Sequence, residues 1–212
     1  MGLGWKDWNR SDVIYGIVVP LIVVLVIVGL SLVNSFLMRG GGMSAMSGSS
    51  GVAIGIISAI EELVLTVAIP LLLGLVWNRW AGGASGFLMG SIWSMWYAVK
   101  YGLYSGSFRG GGSVNLEPTL LGWVLSAMLI GYMAGALNKH SENFRRMLVV
   151  GMGTTAVGGF FLLGMFQLSP SNVVPFDFSG FALNVATRIA AGAIVPIIAK
   201  VFMWYGVALH KT

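Results

Sequence analysis

Apolar residues fall into six long blocks along this chain, and each block ends at a short stretch rich in Gly, Ser, Asn or Pro. The blocks run approximately over residues 13–38, 52–78, 83–101, 119–138, 146–167 and 180–209. A helix of about 20 apolar residues crosses the roughly 30 Å hydrocarbon layer of a bilayer, so each block predicts a membrane span. The breaks read "RGGGMSAMSGSSG" (39–51), "NRWAGG" (78–83), "YGLYSGSFRGGGSVNLEP" (101–118), "NKHSENFRR" (138–146) and "QLSPSNVVPFDFSG" (167–180). These residue types punctuate helices. The link between the second and third spans is so short that the two must form an antiparallel hairpin. The first block, Val13 to Met38, is longer than the roughly 7–15 apolar residues of a signal peptide and lacks a convincing small-x-small cleavage site. It reads as a retained span. The sixth is long enough to tilt or to enter the interface.

The expected fold is therefore all-α: a polytopic membrane protein, one integral membrane domain over residues 1–212, built as a six-transmembrane-helix bundle. Composition agrees. The chain is 57% hydrophobic and only 9% charged, where a soluble domain carries about 25% charged residues. Its net charge of +5 is thus a matter of topology and does not indicate nucleic acid. With the N-terminus inside, the cytoplasmic segments hold Lys6, Arg10, Arg79, Lys139, Arg145, Arg146 and Lys211, and the outer ones hold Arg39, Lys100 and Arg109. That bias places both termini in the cytoplasm of a multi-pass cell-membrane protein. The outer loops, 39–51, 101–118 and 167–180, are the long ones and could act as lids over an outward-facing cavity. No cysteine is present, which excludes disulfides, thiolate catalysis and Cys-based metal sites.

Small residues recur four apart at Gly86/Gly90, Gly131/Gly135 and Ala182/Ala186/Ala190. Such spacing lets helix backbones approach closely. Gly151, Gly153, Gly158, Gly159 and Gly164 of the fifth block are expected to serve the same packing.

Ionisable residues inside spans cost several kcal/mol and normally face the protein interior or a water-filled cavity. "SAIEELVLTVAIP" (58–70) puts Glu61 and Glu62 about 15 Å below the outer end of the second span. Arg188 lies about 12 Å below the outer end of the sixth, with Asn184 one turn above it on the same face. The third span, "SIWSMWYAVKYGLY", gathers Trp93, Trp96, Tyr97, Lys100, Tyr101 and Tyr104 within an arc of about 140°. Three helices thus bring carboxylate, guanidinium and rings to one level. A structural ion pair and an interfacial aromatic belt would use the same residues. A ligand site would use Glu61, Glu62, Trp93, Trp96, Tyr97, Lys100, Asn184 and Arg188 to enclose and orient a flat or cationic group, with the surplus carboxylate favouring a cation.

Catalysis finds no footing. Adjacent intramembrane glutamates resemble the "EExxxR" signature of CAAX-processing membrane proteases, but "EELVLT" has Thr66 in place of the arginine. The histidines are His140, in a loop, and His210, near the C-terminus, so neither a metal site nor a general base is expected at that depth. "GMGTTAVGG" has the glycines of a phosphate loop without its lysine. No catalytic residue, metal or cofactor is expected.

The hairpin "AIPLLLGLVWNRWAGGASGFLMGSIWSMWYAV" (68–99) resembles the second and third helices of the substrate-binding S components of energy-coupling-factor (ECF) transporters. "GWVLSAMLIGYMAGALNK" (122–139) is similar to the family's fourth helix and "VATRIAAGAIVPIIAKVF" (185–202) to its sixth. The resemblance implies six helices with both ends cytoplasmic. It also implies capture of a vitamin or similar micronutrient near the outer face, and docking on a transmembrane coupling subunit driven by ATPase subunits. The first helix departs from the pattern: where the family often carries AxxxA for docking, only Gly16 and Pro20 keep that spacing. The rival expectation is a non-catalytic accessory subunit of a larger membrane complex, its polar cluster holding the fold or touching a neighbouring subunit.

Overall fold

In the computed structural model the described residues are 14–18, 21–22, 56, 58–102, 118–168 and 178–204. They are helical, with no strand among them. We label the long helices α1 (Ser58–Val76), α2 (Arg79–Gly102), α3 (Pro118–Asn138), α4 (Phe144–Gln167) and α5 (Phe178–Trp204). A π-helical turn, Ile14–Val18, stands where the first predicted span begins and packs against α2. Most of that span, Arg39, Tyr104, Arg109 and His210 lie outside the described residues, as do most of the outer loops.

The other five predicted blocks coincide with α1 to α5 to within a few residues. Four of these helices, α1, α3, α4 and α5, are long and apolar enough to cross a membrane. The 24-residue α2 is about 36 Å long, but its many Gly, Ser, Trp and Tyr residues dilute its hydropathy. Large apolar side chains such as Met95, Val149, Phe160, Leu183 and Ile194 point outward. An exterior of this kind suits a lipid solvent and would be a liability in water.

α3 lies at the centre of the described bundle, against α1, α2 and α4, while α5 closes on α1 and α4. Helix approach rests on missing side chains. A Cβ on Gly82 or Gly74 would strike the Gly131 carbonyl, one on Gly86 would strike that of Ala127, and one on Gly90 would lie 2.6 Å from the Val124 Cα. Gly135 meets the Arg79 backbone in the same way. The expected Gly86/Gly90 and Gly131/Gly135 contacts therefore form one seam between α2 and α3. Lipid tails are as apolar as leucine, so van der Waals packing must supply the association.

The alanine stripe behaves otherwise. Ala182, Ala186 and Ala190 are exposed, and the small residues that let α5 approach α4 are Gly192 against Gly151. Gly158 and Gly159 are packed as expected, but Gly153 and Gly164 face open space. Four-residue spacing reports that small residues share a face. It does not report which face.

Polar side chains fasten the ends and the middle. Asn78 turns the chain between α1 and α2, its Oδ1 accepting the Ala81 N–H at 2.7 Å, and the two helices form the predicted antiparallel hairpin. Asn138 donates from Nδ2 to the Leu75 carbonyl at 3.0 Å, pinning the end of α3 to the end of α1. Lys139 and His140 then adopt left-handed backbone, and Asn143 caps α4 by accepting the Arg145 N–H at 3.1 Å. Within the bundle, Ser126 donates to the Gly158 carbonyl at 2.8 Å, joining α3 to α4.

Candidate functional site

Pro70 shapes the helix that carries the glutamates. It has no N–H to offer the Thr66 carbonyl one turn earlier, and its ring crowds that carbonyl. Around it the helix widens to a π-helical stretch, Val64–Ala68, with the Ile69 N–H reaching back five residues to the Val64 carbonyl. The buried Thr66 hydroxyl donates to the Glu62 carbonyl at 2.8 Å, supplementing the backbone just before the irregularity. Single π turns inside α-helices often accompany functional sites.

From this turn the Glu62 side chain meets α5. Arg188, 1% exposed, forms an ion pair with Glu62, Nη2 donating to Oε1. Its Nε donates to Asn184 Oδ1 at 3.1 Å, one turn away on the same helix. Its stem crosses Gly159 of α4, where a Cβ would sit 3.2 Å from the arginine Cδ; the glycine makes room for the side chain. Trp123 of α3 adds a second donor to the same carboxylate oxygen, Nε1 to Oε1 at 3.2 Å. Four helices thus converge on one charged pair.

Rings cover it. Trp123 packs against Tyr97 at 4.5 Å between centroids, tilted by 53°, and meets Phe166 edge to face at 5.3 Å. Trp93, Trp123, Leu65, Met89 and Leu162 form one buried cluster, with Trp96 and Tyr97 half-buried against it. The opposite face of α2 carries the exposed Met95. Trp93 and Trp96 are therefore packed inward.

The donor inventory does not close. Arg188 Nη1 and Trp93 Nε1 are buried with no hydrogen-bond partner among the described residues. A buried donor left unmade costs about 1–3 kcal/mol, more when charged. Glu62, by contrast, keeps 24% of its side chain exposed. The site offers strong donors from within and one carboxylate open to approach.

Comparison with protein-family models, curated proteins and solved structures finds no match to this chain.

Of the residues expected at the site, the structure joins Glu62, Arg188 and Asn184 directly and places Trp93, Trp96 and Tyr97 in the adjoining ring cluster. Glu61 is half-buried and takes no part in the ion pair. Lys100 occupies a helical position on α2, with its side chain outside the described residues. Trp123 was not foreseen. The signal that the sequence carries is the helical spacing of Trp123, Ser126, Ala127 and Ile130, which share a face that the structure buries. No group of three or more His, Cys, Asp or Glu poised to hold a metal occurs among the described residues.

Proposed function

We propose that this chain is a multi-pass component of the cell membrane, with six spans and both termini in the cytoplasm. In this reading it captures a small ring-bearing, vitamin-like solute from the outer side, in the manner of an S component. The observation that carries this reading is the Glu62–Arg188 pair, enclosed by Trp123 and its ring neighbours and left with an unused guanidinium donor. A purely structural pair is best served when all its donors are satisfied; an incomplete one beside a π-helical turn suits a site that is completed by a ligand. Glu62, Arg188, Asn184 and Trp123 would orient the solute, with Trp93, Trp96, Tyr97 and Glu61 around it. A transmembrane coupling subunit and ATPase subunits would then be its partners. Native mass spectrometry of the detergent-purified chain tests this. A bound small molecule is expected in the wild type and its loss in Glu62→Ala. Retention of that ligand by both Arg188→Ala and Trp96→Ala would remove the site.

A second reading, an accessory subunit of a larger membrane complex, draws on the exposed Ala182/Ala186/Ala190 face of α5. Small residues on an outer face suit close approach by a neighbouring helix. Co-purification separates the two: recovery with ATPases supports transport, and recovery with an unrelated membrane complex supports the accessory role.

A further inference from the structure

The end of the bundle that carries the α1–α2 and α3–α4 links is densely basic. Among the described residues Arg79, Lys139, Arg145, Arg146 and Lys200 lie there, all exposed, with Glu142 as the one carboxylate. Five cations against one anion leave a net formal charge of +4. None of the five forms an ion pair with a described carboxylate.

Two of them are spent on the backbone. Arg146 holds the Leu137 carbonyl through Nε at 3.1 Å and Nη2 at 2.6 Å, and Lys200 Nζ donates to the Glu142 carbonyl at 3.0 Å. Arg79 and Lys139 differ. Their side chains meet no hydrogen-bond acceptor among the described residues. The seam between α2 and α3 brings the two together: Gly135 lies against the Arg79 backbone, and Lys139, one turn further on, donates its N–H to the Gly135 carbonyl at 3.2 Å.

Beside this free pair runs an apolar strip. The Arg79 guanidinium lies 5.4 Å from the centroid of the Trp80 ring, and Trp80 meets Tyr132 of α3 edge to face at 5.7 Å. Phe87, two helical turns along α2, shares the face of Trp80, and the two are 52% and 39% exposed. Trp and Tyr favour the headgroup level of a bilayer, which puts Phe87 at acyl-chain depth. A soluble phosphate would use the cations and leave the strip idle. An acidic protein in water could not follow the strip into the membrane. A lipid uses both.

We propose that Arg79 and Lys139 hold the phosphate of an anionic phospholipid at the α2–α3 seam, with its acyl chain against Phe87. Arginine offers paired donors to phosphate oxygens and lysine a compact charge. Basic recesses between spans recognise acidic headgroups in this way. The assignment stands whichever leaflet this end faces, and it does not depend on a solute site at Glu62.

Native mass spectrometry of the detergent-purified full chain tests it, with phosphatidylglycerol and phosphatidylcholine of matched chains supplied in equal amounts. Each cation near an acidic headgroup contributes roughly fivefold in affinity, so the wild type is expected to favour phosphatidylglycerol by at least about tenfold. Arg79→Gln/Lys139→Gln is expected to lose at least about fivefold of that preference. Both side chains are exposed, so packing is spared; the single variants, each losing at least about twofold, decide the matter if the double variant does not fold. Arg145→Gln/Lys200→Gln removes the same charge from the α4–α5 side and is expected to stay within about twofold of wild type. Equal loss in the two double variants would reveal a diffuse field and overturn the site. Equal binding of the two lipids by the wild type overturns it as well. Displacement of phosphatidylglycerol by millimolar glycerol phosphate would mark a soluble-phosphate site instead. Recovery of an acidic protein that Arg79→Gln/Lys139→Gln releases, without lipid preference, would assign the cations to that partner and overturn the lipid.

Discussion

Arg188 on α5 donates to Glu62 on α1, a residue 126 positions earlier in the chain, and the two partners are unequally sheltered: the arginine is 1% exposed and the glutamate 24%. The carboxylate keeps open surface and the guanidinium does not. The pair is therefore asymmetric, and the asymmetry can be measured.

Glu62→Leu strands a fully buried cation, whereas Arg188→Leu strands a carboxylate that is only partly buried and keeps the Trp123 donor. Breaking a buried pair costs about 3–5 kcal/mol when the remaining charge is uncompensated. Glu62→Leu is expected to fall in that range and Arg188→Leu below it. Thermal unfolding in one detergent checks the order, and a larger loss for Arg188→Leu contradicts the burial argument.

Gly131 faces the backbone of Gly82 so closely that a Cβ cannot fit. Gly131→Ala must push α2 and α3 apart, and overpacking of this kind costs about 1–3 kcal/mol. Gly153→Ala is the control, because nothing lies near its Cβ position; it is expected to match or exceed wild-type stability by up to about 1 kcal/mol. Equal melting of the two variants would discount the seam.

Asn143 caps α4 through its Oδ1. Asn143→Ala is expected to lose about 1 kcal/mol, and Asn143→Asp to retain most of it. Hydrogen exchange at the Arg145 and Arg146 amides reads the change directly: protection falls in the alanine variant alone.

Pro70 holds the π-helical turn that aims Glu62. Pro70→Ala restores an N–H for the Thr66 carbonyl and lets the turn tighten, which swings Glu62 by about 100° relative to the rest of α1. Glu62→Leu should then cost much less in the alanine background than in the wild type. A double-mutant cycle with coupling above about 1 kcal/mol is expected; additivity within about 0.5 kcal/mol would show that Pro70 does not position the carboxylate.

Hydropathy and turn residues alone located α1 to α5, because a span must hide its backbone hydrogen bonds within itself and so leaves a long apolar stretch with abrupt ends. The same logic brought Glu62, Arg188 and Asn184 to one level, since rise per residue converts position into depth. Rotation about each helix axis is another matter. Adjacent residues point about 100° apart, so the choice of Glu62 over Glu61 belongs to the packing of α1 against α3 and α5, with the wide turn before Pro70 beside it. In lipid, outward and inward faces are both apolar, and hydrophobic pattern cannot tell them apart. For that reason only the tertiary structure could turn Ala182, Ala186 and Ala190 outward, bring Gly82 against Gly131, and draw Trp123 from the bilayer's edge onto the carboxylate.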